Sequence, residues 1–484
     1  MKKLFAFIAV AFAVIGLKAQ NDMTIHSMQI IPQSYYNNPA LIPTCKIHVG
    51  VPGLSSFYLD GGHTGFVPKN VISTNIYDSV QIDMEGFVNS LAKNNYLFLD
   101  LNEEILSFGF KFKEKHYVNF SLTEKAFARI SYPKDLIEFV FYGNGAMMDE
   151  DVLLGNLNVN AAHYREYAFG YSMDFNEKWN FGARAKLLFG KMNLNTARTD
   201  VTFYTESQFY DITVTSDVVA NWCIPWELTD TLDDTELDAK EYIMNSQNFG
   251  LGFDMGATYK YDDKWTFGLS VIDLGFISWK AEDDVMNFVS KNPGGSFTYD
   301  GIDITDFFET GLDSTAQSDL ENMADSVIDI FKIDSTYNPY NTMLNTRIYA
   351  SAFYDLTEKD RFSGLARIHF YDKGIHPSFS LAYQRKFGNI LRLTGSYSIA
   401  HRNFTNLGVG FALNLGPMQL YMVTDNVLGP IIWNKYMWTE EEENGDLTNE
   451  SLTLPRNWRY MNFHFGLNVA IGCKPPKDYV PIID

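Results

Sequence analysis

The sequence has few charged residues and few cysteines, and it has no long apolar run beyond its first twenty residues. Charged side chains make up 20% of the 484 residues, less than an ordinary soluble surface carries. A helical membrane protein is excluded, because no later run reaches the about 18 apolar residues that a spanning helix needs. The net charge of -21 and the lack of a Lys/Arg cluster exclude nucleic acid as a partner.

The three cysteines, Cys45, Cys223 and Cys473, are widely spaced and form no CxxC pair. This spacing indicates neither a zinc site nor a disulfide framework, and at most one disulfide can form. No cofactor is therefore expected.

The N-terminus has the three parts of a secretory signal peptide. Lys2 and Lys3 precede an apolar stretch, residues 4–17, and Ala19 stands before Gln20. We expect residues 1–19 to be removed by cleavage after Ala19. The alternative is an N-terminal membrane anchor, for which the apolar run is short.

Aromatic residues are abundant, at 15% of the chain, and many lie in segments that alternate with period two. In residues 249–261, FGLGFDMGATYKY, every odd position is apolar or aromatic, and every even position is small or polar. In a β-strand this pattern places all the large apolar side chains on one face. One face of each strand therefore faces lipid or a protein core.

Fourteen such strands can be counted, joined by connections of two lengths. If the first strand runs outward, the short polar turns lie at one end of the sheet, and all the long connections lie at the other end, together with two tight turns near residues 374 and 402. This is the organisation of an outer-membrane β-barrel, with short periplasmic turns and long outer loops. A soluble β-sandwich, double barrel or propeller is the alternative, but its turn lengths would not segregate in this way. The predicted strands are 45–59, 104–113, 116–131, 157–175, 178–196, 247–261, 264–280, 344–355, 361–372, 376–387, 390–400, 404–415, 417–426 and 459–473.

Some segments do not fit the wall of a barrel. Residues 201–219 read as a hairpin projecting outside, and residues 133–142 and 314–333 read as helices in the outer loops. Trp179 and Trp265 each follow a short turn, where an aromatic belt at a membrane interface would lie.

Several stretches together resemble a known family. The signal peptide, NNPALIP (37–43), ARISYPKDLIEFVFYGNG (128–145), LYMVTDN (420–426) and the fourteen strands are similar to FadL-like outer-membrane proteins of Bacteroidota. Within that group the chain resembles an uncharacterised family of unknown function. The resemblance covers nearly all of the mature chain and implies a FadL-like barrel fold. It does not transfer a functional site.

In the long-chain fatty-acid transporter group, the segment before the first strand folds into the lumen as a hatch and contains an Asn-Pro-Ala turn. The resemblance therefore implies that residues 20–44 plug the barrel, with Asn38, Pro39 and Ala40 as the turn. A solvated periplasmic lead is the alternative. Residues 45–473 would then form the barrel, and residues 474–484 a periplasmic tail. The tail departs from many bacterial barrels, which end on an aromatic residue.

No pattern such as GxSxG or HExxH occurs, so no catalytic residues are predicted and the chain is not expected to be an enzyme. Alternation places a set of basic side chains in the lumen. They can attract an anion, or they can pair with acidic lumen residues and with the plug. The acidic residues of 281–335 lack calcium-ligand spacing and favour a solvated surface. The lumen-facing basic candidates are Lys111, Arg184, Lys186, Lys260, Arg367 and Arg392.

Two functions agree with this sequence. The first is a conduit for hydrophobic or amphiphilic solutes, and the second is a scaffold barrel that partners a surface or secretion complex. Outer-membrane lipid is an expected partner in both cases, joined by a hydrophobic small molecule in the first and by a protein in the second. A conduit should show an apolar pocket of ligand size, whereas a scaffold should show a filled lumen.

Overall fold

A computed structural model describes residues 23–74, 80–208, 210–224, 239–280, 284–290, 293, 295–299, 333–371, 374–400, 403–427, 433–441, 447–455 and 459–473. Its main sheet is antiparallel and closed, because the last wall strand pairs with the first. The predicted fourteen-stranded barrel is confirmed. The wall strands are β1 (Ile47–Gly50 and Ser56–His63), β2 (Asn94–Phe112), β3 (His116–Pro133), β4 (Asn158–Asp174), β5 (Trp179–Thr205), β6 (Asn248–Lys260), β7 (Trp265–Trp279), β8 (Tyr340–Met343 and Arg347–Asp355), β9 (Asp360–Tyr371), β10 (Gly374–Phe387), β11 (Leu391–Ala400), β12 (Asn403–Leu415), β13 (Met418–Thr424) and β14 (Tyr460–Ile471).

Four predicted strands have other boundaries in the structure. The strand predicted at 45–59 is interrupted between Gly50 and Ser56, where Leu54 is exposed. The strand predicted at 178–196 continues to Thr205, and the strand predicted at 344–355 begins at Tyr340 and is interrupted between Met343 and Arg347. The strand predicted at 104–113 begins ten residues earlier, at Asn94, and the added residues pair with β1 and β3. Sequence alternation missed this extension because a bulge at Glu104 shifts the pattern by one residue.

The side chains of the wall point in the predicted directions. On β6, Phe253 and Met255 are 51% and 50% exposed on the outside, whereas Asp254 between them is fully buried in the bore. The strands thus present a largely apolar exterior, as a wall facing lipid must. Such a closed wall also satisfies every inner backbone group of the sheet within the protein.

The short turns at one end of the barrel, called the short-turn end below, use the same local chemistry twice. Asn176 Oδ1 accepts hydrogen bonds from the backbone N–H of Lys178 and Trp179, at 2.9 and 2.8 Å. Asp262 Oδ1 accepts the equivalent bonds from Lys264 and Trp265, at 2.8 and 2.7 Å. The two tryptophans then pack on Tyr259 and Tyr354 of the neighbouring strands, which forms part of the aromatic belt expected at this end.

The long connections carry smaller elements that cover the outer end of the wall. The helix predicted at 133–142 is present as Lys134–Tyr142, and the predicted hairpin is present as the end of β5 paired with Ile212–Cys223. The helix predicted at 314–333 lies outside the described residues, except for its last position. The other strands are Ile72–Thr74, Val80–Ile82, Asp151–Leu153, Val285–Ser290, Gly295–Tyr299, Ile333–Thr336, Trp433–Glu441 and Leu447–Pro455, and the other helices are Met23–Ser27, Pro32–Tyr36, Pro68–Asn70, Met84–Ser90, Asn144–Met147 and Ala239–Met244.

Cys45 and Cys473 form a disulfide, in agreement with the limit of one disulfide that three cysteines set; the sequence did not indicate which pair would form. It joins the residues that flank the first and last wall strands. Cys223 is buried. Within the part of the chain that the structure describes, no helix is long and apolar enough to cross a membrane. The signal peptide, residues 1–19, and the tail, residues 474–484, lie outside the described residues.

Candidate functional site

Residues 23–44, called the N-terminal segment below, lie in the bore of the barrel. Its helix Met23–Ser27 is buried throughout, and its apolar side chains pack on inward-facing residues of the wall. Met23 contacts Ile272, Tyr349 and Leu365. A second apolar group joins the segment to β12 and β13; it consists of Ile25, Met28, Ile30, Ile31, Ala412, Tyr421 and Val423. The alternation had indicated a uniformly polar bore. These contacts show that part of the bore is apolar.

Asp425 holds the start of the N-terminal segment. Its carboxylate accepts hydrogen bonds from the backbone N–H of Met23 and Thr24, at 3.3 and 2.9 Å, and from the Thr24 hydroxyl. Asn462 Nδ2 on β14 donates a further bond to it, at 2.6 Å. The motif LYMVTDN thus gains a structural role, because its aspartate satisfies backbone groups that would otherwise be buried without partners.

Glu104 holds the middle of the N-terminal segment. This buried carboxylate accepts hydrogen bonds from Gln33 Nε2 at 3.1 Å, from Tyr35 at 3.3 Å and from the Tyr36 hydroxyl. The Arg184 guanidinium lies over both tyrosine rings, at 4.7 and 4.8 Å from their centroids. A single wall carboxylate therefore binds three side chains of the segment.

The turn formed by Asn38, Pro39 and Ala40 lies against the wall where glycines leave room for it. Asn38 Oδ1 accepts the backbone N–H of Ala40 at 2.9 Å, which closes the turn. A Cβ atom at Gly256 would lie 2.1 Å from that Asn38 oxygen, and one at Gly182 would lie 2.2 Å from the Pro39 carbonyl oxygen. These two glycines are paired across β5 and β6, so they form one shallow depression in the inner wall.

A network of buried ion pairs crosses the bore above the segment. It runs from β3 to β8 through Lys125, Glu166, Arg184, Lys186, Asp254, Asp273 and Arg347. Lys186 lies at its centre, 2.6 Å from Asp254 and 2.5 Å from Asp273. Because each buried charge has a partner of opposite sign, the network crosslinks these strands from inside.

The six predicted basic residues occupy different places. Arg184 and Lys186 lie in this network, and Arg367 is buried on β9 with Nη2 donating to Ser378 at 3.2 Å. Lys111 and Arg392 are half-buried near the short-turn end. Lys260 is exposed at the rim of the short-turn end, where it pairs with Asp263 at 2.7 Å.

Two residues that bind the segment or the network, Glu104 and Asp273, were missed by the sequence analysis. Strict alternation places each of them on the outer face of its strand. Each lies instead at a bulge that turns it into the bore, and Asp273 has the left-handed φ of 59°. A carboxylate at a position assigned to lipid is the signal that would have identified both bulges.

Three cavities can be described from the residues that the structure describes. Two polar cavities of about 50 and 40 Å³ in the bore share Tyr58, Asn102, Lys125 and Arg347. A third, of about 580 Å³, opens at the rim that carries the short turns and is lined by Ala40, Leu41 and Ile42 of the segment. The segment thus lines both the rim cavity and, through Tyr36, the smaller of the two bore cavities.

An apolar exterior, a closed wall and a bore occupied by the chain's own N-terminal segment define a membrane-spanning β-barrel with an internal obstruction. The chain belongs to a family of unknown function, DUF5723, whose model matches residues 39–425. No curated protein matches it.

Solved structures with a similar fold include two toluene transporters and a FadL homologue. The toluene transporter TodX of P. putida is 9% identical, with coverage of 90% of this chain and 94% of that chain and a TM-score of 0.38. A FadL homologue of Pseudomonas aeruginosa is 10% identical, with coverage of 92% and 94% and a TM-score of 0.37. The toluene transporter TbuX of Ralstonia pickettii is 7% identical, with coverage of 94% and 95% and a TM-score of 0.40. TM-scores this low carry no argument about function.

Gly256→Ala is expected to displace the turn at Asn38, because the added Cβ would meet the Asn38 oxygen. An overpacked contact costs about 1–3 kcal/mol, so amide hydrogen exchange at Ala40 and Leu41 should be roughly tenfold or more faster. The control is Gly395→Ala on β11, where a Cβ has no atom within 4 Å. Equal exchange in the two variants would contradict the close approach.

Glu104→Gln is expected to loosen the middle of the segment, because three charge-assisted bonds lose their charge. The loss should be about 1.5–3 kcal/mol, measured as faster exchange of the amides of residues 33–37. Glu103→Gln is the matched control, since Glu103 is the adjacent residue on the opposite face of the same strand. If both variants exchange alike, Glu104 does not anchor the segment.

Acid should weaken the docking of the helix Met23–Ser27, because of His26. Its ring stacks near Phe353 at 5.5 Å, and burial lowers the pKa of His26 from 6.5 to about 4. The docked state thus favours the neutral imidazole, so the stabilisation is complete above the undocked pKa of 6.5 and is lost as the pH falls toward 4. At about pH 5 the loss should be about 2 kcal/mol.

The measurement is the protection of residues 23–28 from hydrogen exchange, corrected for the intrinsic exchange rate at each pH. His26→Phe is the control, because it keeps the stacking and cannot be protonated. The same loss of protection in His26→Phe would show that another group is responsible.

Proposed function

We propose that the chain is a non-catalytic outer-membrane protein that conducts hydrophobic or amphiphilic solutes, with residues 20–44 as its gate. The supporting observation is that the barrel closes without this segment. None of the described residues 23–44 pairs with a wall strand, and the ladder from β1 to β14 is continuous around the barrel. The segment can therefore leave the bore without breaking the wall.

The contacts that hold the segment are noncovalent side-chain contacts, which can be broken and formed again. They are side-chain hydrogen bonds to Asp425 and Glu104, ring contacts with Arg184, and apolar packing. Each is worth about 0.5–3 kcal/mol, which is far less than the cost of opening a closed sheet in lipid. Movement of the segment is therefore the least costly way to open the bore.

A buried apolar group borders the bore and could contact the apolar part of a solute once the bore opens. It consists of Ala162, Tyr164, Leu188, Cys223, Ile277, Trp279, Val285 and Leu344, with Phe127 packed against it. Phe127 and Tyr164 also line the polar cavity that contains Lys125 and Arg347. A solute that crosses this region would meet apolar and charged side chains in succession.

The scaffold function is the second candidate, and the small size of the inner cavities favours it. The two bore cavities lined by described residues, of about 50 and 40 Å³, each have room for little more than water. A protein that never opens would have such a filled lumen, and its function would depend on a partner at its outer loops or wall.

Locking the segment tests the conduit directly. The hydroxyl oxygens of Thr24 and Ser396 are 2.6 Å apart, so Thr24→Cys with Ser396→Cys should form a disulfide between the segment and β11. In proteoliposomes, the locked protein should take up a fluorescent long-chain amphiphile several-fold more slowly than the wild type, and a reductant should restore uptake. The two single-cysteine variants and reduced wild type are the controls.

Unchanged uptake in the locked protein would contradict the gate. Purification with native lipids, followed by mass identification, separates the two functions. A co-purified amphiphile supports the conduit, whereas a stoichiometric protein supports the scaffold.

A further inference from the structure

Two aspartates face each other inside the outer half of the bore. Strand register pairs Asp60 of β1 directly with Asp100 of β2. Asp60 is fully buried, with 0% exposure. Arg129 of β3 donates from Nη2 to both oxygens of Asp100, at 2.9 and 2.8 Å. The Arg129 guanidinium is thus hydrogen-bonded to Asp100. Among the described residues, Asp60 takes part in no ion pair.

The oxygens of Asp60 have different surroundings. Oδ2 accepts a hydrogen bond from the Tyr58 hydroxyl at 3.2 Å. Oδ1 is buried and receives no hydrogen bond from a described donor. Because Asp60 and Asp100 stand directly opposite each other in register, their side chains are nearest neighbours on the same face of the wall. Two carboxylates cannot bond to each other, because both are acceptors, so a bond between them requires a proton.

Among the described hydrogen bonds, neither nearby arginine donates to Asp60. Arg129 and Arg367 both attract the Asp60 carboxyl. Nη2 of Arg129 donates to Asp100, however, and Nη2 of Arg367 donates to Ser378. Asn462 of β14 stands opposite Asp60 in register, but its Nδ2 donates to Asp425 at 2.6 Å. His369 of β9 and His376 of β10 lie on the strands that carry or flank Arg367, and each ring packs on Tyr371.

We propose that Asp60 and Asp100 form a proton-binding site in the bore. Asp60 holds the proton as a neutral acid and donates it in a hydrogen bond to the Asp100 carboxylate, which is also bound by Arg129. Tyr58, Asp100 and Arg129 line the cavity of about 50 Å³, which has room for water. Water there gives the proton a path for exchange with the bore. This site is independent of whether the barrel conducts a solute.

Infrared spectroscopy of the full-length protein in detergent micelles at neutral pH tests the site. The wild type should show the carbonyl stretch of a neutral carboxylic acid, shifted to lower frequency in D₂O, and Asp60→Asn should remove that band. Asp254→Asn is the control, because Asp254 is equally buried in the bore but paired with Lys186. Absence of the band from the wild type, or its persistence in Asp60→Asn, would overturn the proposal.

Thermal unfolding provides a second readout. Asparagine has nearly the shape of a neutral aspartic acid, so Asp60→Asn should unfold at the wild-type temperature. Asp100→Asn should unfold at a lower temperature, because it leaves the Arg129 guanidinium without its carboxylate. If Asp60→Asn is destabilised as much as Asp100→Asn, or does not fold, then Asp60 is charged in the native protein and the proposal is wrong.

Discussion

A sheet of fourteen strands that closes on itself encloses more space than its own inward side chains can fill. The rest of this structure depends on how that space is occupied. Here the chain uses its own N-terminal segment for the lower part and a network of buried ion pairs for the part above. The wall supplies the matching features: carboxylates at Glu104 and Asp425 where the segment has donors, and glycines at positions 182 and 256 where its turn comes closest. The lipid-facing side needs only to be apolar, so nearly all the specific contacts are inside.

The ion-pair network and the segment are connected through one residue. Arg184 pairs with Asp254 in the network and lies over the rings of Tyr35 and Tyr36 in the segment. A displacement of either group therefore changes the surroundings of the other. In a low-dielectric bore, an arginine that loses its aromatic contacts keeps its carboxylate partner, so the network can persist when the segment is absent. The bore thus has two parts. In the upper part ion pairs crosslink the wall strands, and in the lower part hydrogen bonds and packing hold the N-terminal segment.

The sequence was sufficient to predict the number of strands, their faces and the two ends of the barrel, because the pleat of a strand forces alternation on any wall with lipid outside. It was not sufficient where the pleat is broken. Glu104 and Asp273 occupy positions that strict alternation assigns to the outer face, and only the bulges found in the structure turn them inward. The interruption of the first strand after Gly50 has the same origin. The contacts of Asn38 with Gly256 depend on how a separate segment docks, and no local pattern specifies docking.

The disulfide has a consequence for the topology of the molecule. Cys45 and Cys473 are 428 positions apart in sequence, yet the pairing of the first strand with the last brings them opposite each other. Once the disulfide has formed, the polypeptide between the two cysteines is a covalent ring. The paired first and last strands can then no longer separate at this end. The portion ahead of Cys45 then becomes a side branch attached to a macrocycle. A force that pulls this branch at Cys45 is then shared by two covalent paths, the backbone to Lys46 and the disulfide to Cys473, so it does not bear only on the four residue pairs of the short first ladder.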